Sequence, residues 1–595
     1  MPKDFRHEIK APLLGRFSIS GSGSLCMTIL VPVLLLCSWL LPLHFLPWVS
    51  WHSEVFAFFA VGLCASVAVF RQVIKDKRLR ISLPVSAMPF ITLALLAVAQ
   101  VASGLMTFAG DALVFCFYSA LCVTALALGY ASGTNSADKN SPYQARKVLV
   151  VVAFTLLVAA LISALVAFTQ VLELWEGFVW INRMPYLRRP GGNIGQPNQL
   201  ATLLLMGMAS LLFLHESGRL KDLSLALILL VLVVALAVTE SRTGVLSFLL
   251  LSGWWLLKNK RVGFRLPPRV IGLLVIGFLG FFLAWPSIFN FIQQSSGAGA
   301  EINTKVGLRL VVWPQLLEAM SQRPWAGWGL NQVPWAHNAV ASSYTLSEPY
   351  SYSHNILIDL ALGLGLPLAA MLVFVSGFWL WRRARLANQL LPWYCIALVL
   401  PVAVHSMLEF PFTYAYFLAP VMFVLGVLEG LSGAKQAFTM GARPATALLV
   451  LIGVVAAWSV VEYIKIEEDF RVVRFEALRV GKTPVSYQRP HIFLLTQLDA
   501  LLASARVVPK LGMSPGELEL SKKVALRYPW TATQNRYALS LALNGNPEEA
   551  LRQLRVMRAL HGEVAFAKIS ENWKALAQEK YPQLNILQKL GSDTD

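Results

Sequence analysis

The feature that most constrains this chain is a series of apolar runs, each about 17 to 25 residues long, recurring from residue 25 to residue 461. A helix rises about 1.5 Å per residue, so each run can cross a hydrocarbon core of roughly 30 Å. A soluble core has no use for so many. Of the 595 residues 56% are hydrophobic and only 14% charged, far from the balance of a water-soluble domain. About thirteen transmembrane helices are predicted, at 25–47, 53–70, 82–104, 113–131, 148–172, 199–214, 223–238, 244–257, 270–285, 356–381, 393–404, 416–431 and 445–461. The expected fold class is an all-α polytopic membrane protein.

The formal charge of +18 would suit nucleic acid, but its placement excludes that partner. Lys and Arg fall in short loops on alternate sides of the apolar runs, the positive-inside pattern. Lys3, Arg6, Lys10 and Arg16 precede the first run, and Arg71, Lys75, Lys77, Arg78 and Arg80 follow the second. With the N-terminus cytoplasmic, the basic loops around Arg146, Arg219, Lys258 to Arg269, Arg382 to Arg385 and Lys435 to Arg443 also fall in the cytoplasm. The first run has no convincing small-residue cleavage site and is expected to remain as a helix. Cys26, Cys37, Cys64, Cys116, Cys122 and Cys395 all lie in apolar runs and read as small apolar residues, not as disulfide or metal partners.

This topology divides the chain into a membrane domain, 1–465, and a soluble helical tail, 466–595. It leaves 173–198, a long loop at about 286–355 and the tail on the far side of the membrane. The loop is rich in Trp, Pro, Gly and Tyr and is expected to form a partly ordered lid. In the tail, Tyr537 to Ala550 reads as one helix–turn–helix of tetratricopeptide type. A single repeat cannot make a solenoid, so a plain helical cap and an acceptor-docking module both stay open.

Ionisable groups near lipid are costly unless they line a site or find a partner, so the polar clusters at outer helix ends are the candidates. The first, RRPGGNIGQPNQ at 188–199, contains Arg189, Gln196 and Asn198, and its amides suit a phosphate or sugar. The second, ESRTG at 240–244, places Arg242 against the positive-inside bias; its planar fork suits diphosphate oxygens, with pairing to Glu240 as the bland alternative. The third runs from Lys305 to Trp313, with Arg309 and Trp313 on one helix face; a surface helix lying on lipid fits equally. The fourth, SYSHNILID at 351–359, offers His354 as the best general base, with Asn355 beside it, although a lone interfacial His is more often structural. The fifth, HSMLEFPFTYAY at 405–416, contains Tyr414 and Tyr416 and reads either as support for the site or as an aromatic belt with a polar cap.

The stretches GGNIGQPNQLATLL, TESRTG, RPWAGWGLNQ, YSHNILIDLALGLGLP and HSMLEFPFTYAYFL resemble, in order and spacing, the O-antigen ligase/polymerase (Wzy/WaaL-like) superfamily. Within it they look most like the PglL-type bacterial protein O-oligosaccharyltransferases. The resemblance covers about residues 190–430. It implies a GT-C-like inner-membrane enzyme that moves a preassembled oligosaccharide from undecaprenyl diphosphate to a Ser or Thr hydroxyl of a pilin-like or other periplasmic protein. By that resemblance His354 is the catalytic His and Arg242 and Arg309 hold the donor diphosphate. Gln196 matches a motif position of this branch, Tyr414 or Tyr416 its outer-loop aromatic, and Arg189, Asn198 and Asn355 are candidates for glycan or acceptor contacts. The family motif tolerates residues other than Pro at position 197, so Pro197 leaves the local amide geometry open.

A lipid diphosphate is already a good leaving group, so charge stabilisation matters more than its protonation. The acceptor hydroxyl needs a base, and attack opposite the diphosphate inverts the anomeric centre. Glu54 and Asp111 are far apart in sequence, so no carboxylate pair suited to Mg²⁺ or Mn²⁺ is expected. Metal-independent transfer with no cofactor follows. Two alternatives remain: an O-antigen ligase or polymerase with a lipid-borne acceptor, and a lipid-linked sugar transporter. Transport would place ionisable groups at mid-membrane, where only Asp359 and Glu429 are expected.

Overall fold

A computed structural model of the chain describes residues 29–75, 80–134, 143–174, 177–184, 189–292 and 307–587. The basic residues 3–16, the side chains of 71–80, Cys26, Arg188 and Lys305 lie outside that description. Helix occupies part or all of every one of the predicted runs: α1 (Val31–Leu40), α2 (Trp51–Lys75), α3 (Met88–Ala102), α4 (Ala109–Thr134), α5 (Tyr143–Val171), α6 (Pro197–Glu216), α7 (Asp222–Val238), α8 (Arg242–Val262) and α9 (Pro268–Ile292). After the outer loop come α12 (Ile356–Leu364), α13 (Leu366–Leu386), α14 (Leu390–Ser406), α15 (Ala415–Leu431) and α16 (Ala442–Leu478). Seven stretches are long and apolar enough to cross a membrane, and α1, α7, α14 and α15 are shorter apolar helices. The protein is a helical membrane protein, and none of its described cysteines forms a disulfide.

The structure corrects several sequence expectations. Helix α1 stops at Leu40, not near 47, because Pro42 biases Leu41 out of the helical region and lacks an amide donor; Leu41 is extended. The segment expected to be helical from residue 82 opens instead as a strand. β1 (Arg80–Pro84) pairs antiparallel with β2 (Gln436–Gly441), Ile81 facing Met440 and Leu83 facing Phe438, so the fold is not purely helical. The run 356–381 breaks at Gly365, whose φ is +78°. A Cβ there would lie 2.2 Å from the Trp325 carbonyl oxygen, so only glycine lets the 324–328 loop dock against the break. That loop is held by Trp328 N to Leu362 O at 2.6 Å and Leu366 N to Pro324 O at 2.7 Å.

The outer loop begins later than expected, since α9 passes through Pro286 to Ile292. It contains α10 (Arg309–Gln322) and α11 (Val333–Ala341). The tail does not start as a separate body: α16 runs unbroken through residues 465 and 466. It leads into α17 (Thr496–Ala505), α18 (Pro515–Arg527), α19 (Thr531–Leu543) and α20 (Pro547–Glu579). Tyr537, Leu541, Ala550, Leu554 and Trp573 form the tail's own core.

Two features position the site. Helix α6 is buried along nearly all its length, so its N-terminus opens in the middle of the bundle. Helices α4 and α15 meet through facing glycines: a Cβ on Gly129 would lie 2.0 Å from Phe423 O, and one on Gly426 would lie 2.2 Å from Leu126 O. Such small-residue seams let backbones approach where lipid supplies no hydrophobic drive. The tail is clamped over this bundle. Buried Asp111 takes a two-pronged contact from Arg527, 2.9 Å on each oxygen. Glu462 accepts the amides of Phe493, Leu494 and Leu495, and Ser347 N donates to Ala559 O at 2.8 Å.

Candidate active site

His354 sits at the turn that starts α12 with φ +62°, a left-handed conformation that costs a non-glycine residue energy and persists only where its surroundings over-determine it. They do so here. Ser353 N donates to Asp359 Oδ1 at 3.0 Å, and Ser353 Oγ donates to Asn355 O at 2.8 Å. Trp313 Nε1 donates to Ser353 O at 2.8 Å. Asn355 caps α12 by accepting the Leu357 and Ile358 amides, while its Nδ2 donates to Met407 O at 3.1 Å. Asn355, expected near the glycan or acceptor, therefore spends both ends of its amide tying the His354 turn to the loop that follows α14.

That loop carries the residue at the centre of the arrangement, Glu409, which is only 6% exposed. Arg309 Nη2 donates to its Oε1. His354 Nδ1 lies 2.7 Å from Oε2, an ion-pair distance off the line of an aligned hydrogen bond. Asn198 Nδ2 donates to Oε1 at 3.3 Å. Burial alone would raise the Glu409 carboxyl, but the contact with His354 and the nearby Arg309 and His405 outweigh it and hold the group below the ordinary glutamate range. Three of the expected clusters thus meet on one carboxylate. The fifth cluster was expected only to support the site, and the signal that Glu409 is its centre was a carboxylate stranded in an apolar, aromatic stretch.

Arg242 is one residue further out. Ser241, the N-cap of α8, accepts from Gly244 N and donates to Asn198 Oδ1 at 2.7 Å, so exposed Arg242 opens α8 two hydrogen bonds from Glu409. Pro197 takes the first turn of α6, where a missing amide donor costs nothing, and Gln196 caps the helix by accepting from Gln199 N at 2.8 Å. The local amide geometry left open by Pro197 is therefore that of a capped helix N-terminus. Arg189 Nε donates to Thr239 O at 3.1 Å, next to the α7–α8 turn.

A cleft of about 540 Å³ is lined by Glu409 together with Gln196, Gln199, Tyr414, Tyr416, His44 and Arg183. Not every amide of the first cluster faces it. Gly192 N donates to Gln170 Oε1 at 2.9 Å, and the Asn193 side chain donates to Leu40 O and Trp180 O and accepts from Asn182 N. These groups build the wall, while Gly195, Gln196 and Gln199 are presented. The irregular segment after α1 adds His44, whose Nε2 is 2.6 Å from Asn193 O; the sequence reading missed it because it gave the N-terminal runs no role beyond topology. Tyr416 donates to Gln199 Oε1 at 2.8 Å and is buried, so Tyr414 is the more accessible of the two. An aromatic ladder runs from Tyr416 to Tyr414, Phe410 and Tyr352, and Phe410 meets His354 edge-on at 4.8 Å. Burial pushes the Tyr352 hydroxyl up to about 12, so it stays neutral.

The two carboxylates expected at mid-membrane both have protein partners. Asp359 holds the Ser353 amide, and Glu429 pairs with Arg383 and accepts from Trp379 Nε1 at 3.1 Å. Neither lines the cleft, which removes the feature that would have favoured transport.

Comparison with known proteins decides among the remaining readings. Residues 190–215 match the family described as protein glycosylation ligase, 226–373 match O-antigen ligase, and 393–575 match the virulence factor membrane-bound polymerase C-terminal family. The chain is 26% identical over 549 residues to the general O-oligosaccharyltransferase of Acinetobacter baylyi (strain ATCC 33305 / BD413 / ADP1), covering 90% of this chain and 92% of that protein. It is 30% identical over 353 residues to the ComP-specific O-oligosaccharyltransferase of the same strain, covering 58% of this chain and 62% of that one. These matches support a PglL-type protein O-oligosaccharyltransferase. The chain is accordingly an enzyme of the glycosyltransferase class. The three matched segments contribute Asn198, then Arg309 and His354, and then Glu409, the carboxylate that lines the cleft and on which the other three side chains converge.

Proposed function

We propose that the enzyme transfers a preassembled glycan en bloc from undecaprenyl diphosphate to a Ser or Thr hydroxyl of a pilin-like or other periplasmic protein, with His354 as the catalytic base. The observation that carries this reading is the convergence of His354, Arg309 and Asn198 on buried Glu409, which lines the cleft.

Glu409 beside Nδ1 favours the tautomer with the proton there and leaves Nε2 to take the proton of the attacking hydroxyl. The oxygen forms its bond to the anomeric carbon as the bond to the diphosphate breaks. The imidazolium that results is stabilised by Glu409, and the leaving group departs as the diphosphate anion. Arg309 and Arg242 hold that diphosphate, Arg242 with the added positive end of α8. A donor would draw Arg309 toward its phosphates and leave Glu409 to His354. Gln196 and Tyr414 contact the glycan or acceptor in the cleft, and Arg189 and Asn198 order the surrounding turns. The displacement inverts the anomeric configuration and needs no metal.

Supporting a thirteen-span inner-membrane topology with the N-terminus cytoplasmic, the β1–β2 pairing joins the loop after α2 to the loop after α15, two basic segments that the alternation of spans assigns to one side. The reaction cleft and the tail then face the periplasm. The tail, from about residue 466, acts as a helical, tetratricopeptide-like cap on the lid.

The test is to supply wild type and His354→Ala with a lipid-linked glycan and a candidate pilin in cells lacking their own ligase, and to examine pilin and lipopolysaccharide by mass spectrometry. Glycan on pilin Ser or Thr with the wild type alone is expected. Glycan only on lipid A-core would move the acceptor to lipopolysaccharide, and unimpaired transfer by the variant would remove His354 from the chemistry.

A further inference from the structure

The ends of α8 and α13 farthest from Glu409 enclose a second cleft of about 480 Å³, lined by Arg261, Arg382 and Arg385 with Phe378, Trp381 and Asn388. Arg261 lies roughly 28 Å along α8 from Arg242, so this cleft is separate from the reaction site. Its basic residues have different fates. Arg383 turns inward, with Nε 2.5 Å from buried Glu429. Lys258 Nζ is held by Arg385 O and Asn388 Oδ1, each at 3.0 Å. Arg261, Arg382 and Arg385 are exposed, and among the described residues no carboxylate pairs with any of them.

The rings beside these arginines continue the cleft onto the apolar surface of α13. The Arg385 guanidinium lies over the Trp381 ring at 5.0 Å. Trp381 packs on Phe378 at 5.6 Å and Phe378 on Phe374 at 6.2 Å, and all three rings are more than half exposed. A ligand matching this surface carries negative charge at one end and hydrocarbon at the other. A soluble anion would leave the aromatic strip unused, and a zwitterionic headgroup would leave three cations without a counter-charge.

We propose that this cleft binds one anionic phospholipid, its phosphodiester between Arg261, Arg382 and Arg385 and an acyl chain along Trp381, Phe378 and Phe374. Each basic residue near an anionic lipid contributes roughly fivefold in affinity, so removing three weakens binding on the order of a hundredfold.

The experiment reconstitutes the full-length enzyme in nanodiscs of phosphatidylcholine with graded phosphatidylglycerol and reads retained lipid by native mass spectrometry. Compared with the wild type are the triple variant Arg261→Gln, Arg382→Gln, Arg385→Gln and a control with the same charge change outside the cleft, Arg219→Gln, Arg269→Gln, Arg443→Gln. One phosphatidylglycerol retained by the wild type and the control but lost from the cleft variant is expected, undisplaced by millimolar inorganic phosphate. Equal retention by all three proteins, equal retention of phosphatidylcholine, or displacement by inorganic phosphate would each overturn the proposal. Unchanged melting temperatures of the two variants in phosphatidylcholine alone establish that both are folded.

Discussion

Replacing Glu409 by Gln keeps the side chain's shape and removes its charge, which makes it the sharpest probe of the proposed site. The carboxylate is 8% exposed at its side chain, while Arg309 and His354 are 26% and 19% exposed. Deleting one member of a fully buried ion pair costs roughly 3–5 kcal/mol; with both partners partly solvated, about 2 kcal/mol of stability is expected to be lost. The larger effect falls on the rate. Without the carboxylate, Nδ1 faces a neutral amide, and both the tautomer and the imidazolium lose their support. Proton transfer by a positioned base contributes roughly 10²–10⁴-fold, so kcat should fall on the order of 10³-fold, about 4 kcal/mol of barrier. KM for the donor should not rise, because Arg309 is released to the diphosphate. Glu409→Asp should recover part of the rate, as a positioning role through charge requires. Because the native carboxyl lies below the ordinary glutamate range, its stabilising contribution is present above pH ~4.3 and is lost as pH falls through the depressed native value. The Gln variant should lack that acid-dependent loss. The assay is single-turnover glycosylation of an acceptor peptide by purified enzyme, with thermal unfolding as the folding control. A folded Gln variant that keeps kcat within about threefold of wild type, or whose whole defect lies in donor KM, would refute the assignment.

Gly426→Leu should force apart α4 and α15, because a Cβ already meets Leu126 O at 2.2 Å; at least about 3 kcal/mol of destabilisation is expected in detergent unfolding, whereas Gly453→Leu, where the space is open, should be nearly neutral. Arg527→Gln should strand buried Asp111 at a cost of roughly 3–5 kcal/mol, raise proteolysis of the tail and lower transfer. The Asp111→Leu, Arg527→Met pair should restore much of the stability. Burial lowers His337 to about 4, so its neutral form contributes stability above pH ~6.5 that is lost progressively as pH falls toward about 4, up to roughly 3 kcal/mol. Limited proteolysis of the α10–α11 region between pH 7 and 5 should accelerate, and His337→Phe should flatten that dependence.

The apolar runs were legible because lipid imposes one requirement, continuous internally bonded helix, that a single sequence displays directly. What sequence alone misplaced was decided by local exceptions: Pro42 ending α1 early, the strand at Arg80–Pro84 made possible only by a partner some 350 residues away, and Gly365 splitting a run whose hydrophobicity is uninterrupted. His354, Arg309, Arg242 and Gln196 were visible as polar groups at outer helix ends, together with a family resemblance that fixed their order. Asn355 has a second role that its position beside a candidate base conceals: an Asn at the start of a helix is also well suited to cap it, and its Oδ1 is used that way while its Nδ2 reaches Met407 O.

Glu409 shows why the centre of the site was harder to read than its members. A carboxylate among Leu, Phe and Pro is expensive wherever it is buried, and sequence reveals the cost without revealing what offsets it. Here the offset comes from Arg309 at the start of α10 and His354 at the turn before α12, with Asn198 at the N-terminus of the buried helix α6. Each of these would itself be an awkward polar group if Glu409 were absent. Their locations were separately suggestive, but their meaning was joint, because the burial of Glu409 is offset only where all three meet it. The tail reaches the same set: Tyr352, two residues before His354, stacks on Phe410 at 5.3 Å and feels the charges of Arg527 and Asp111. Loss of the tail should therefore be felt first in the placement of His354, before the bundle itself is weakened.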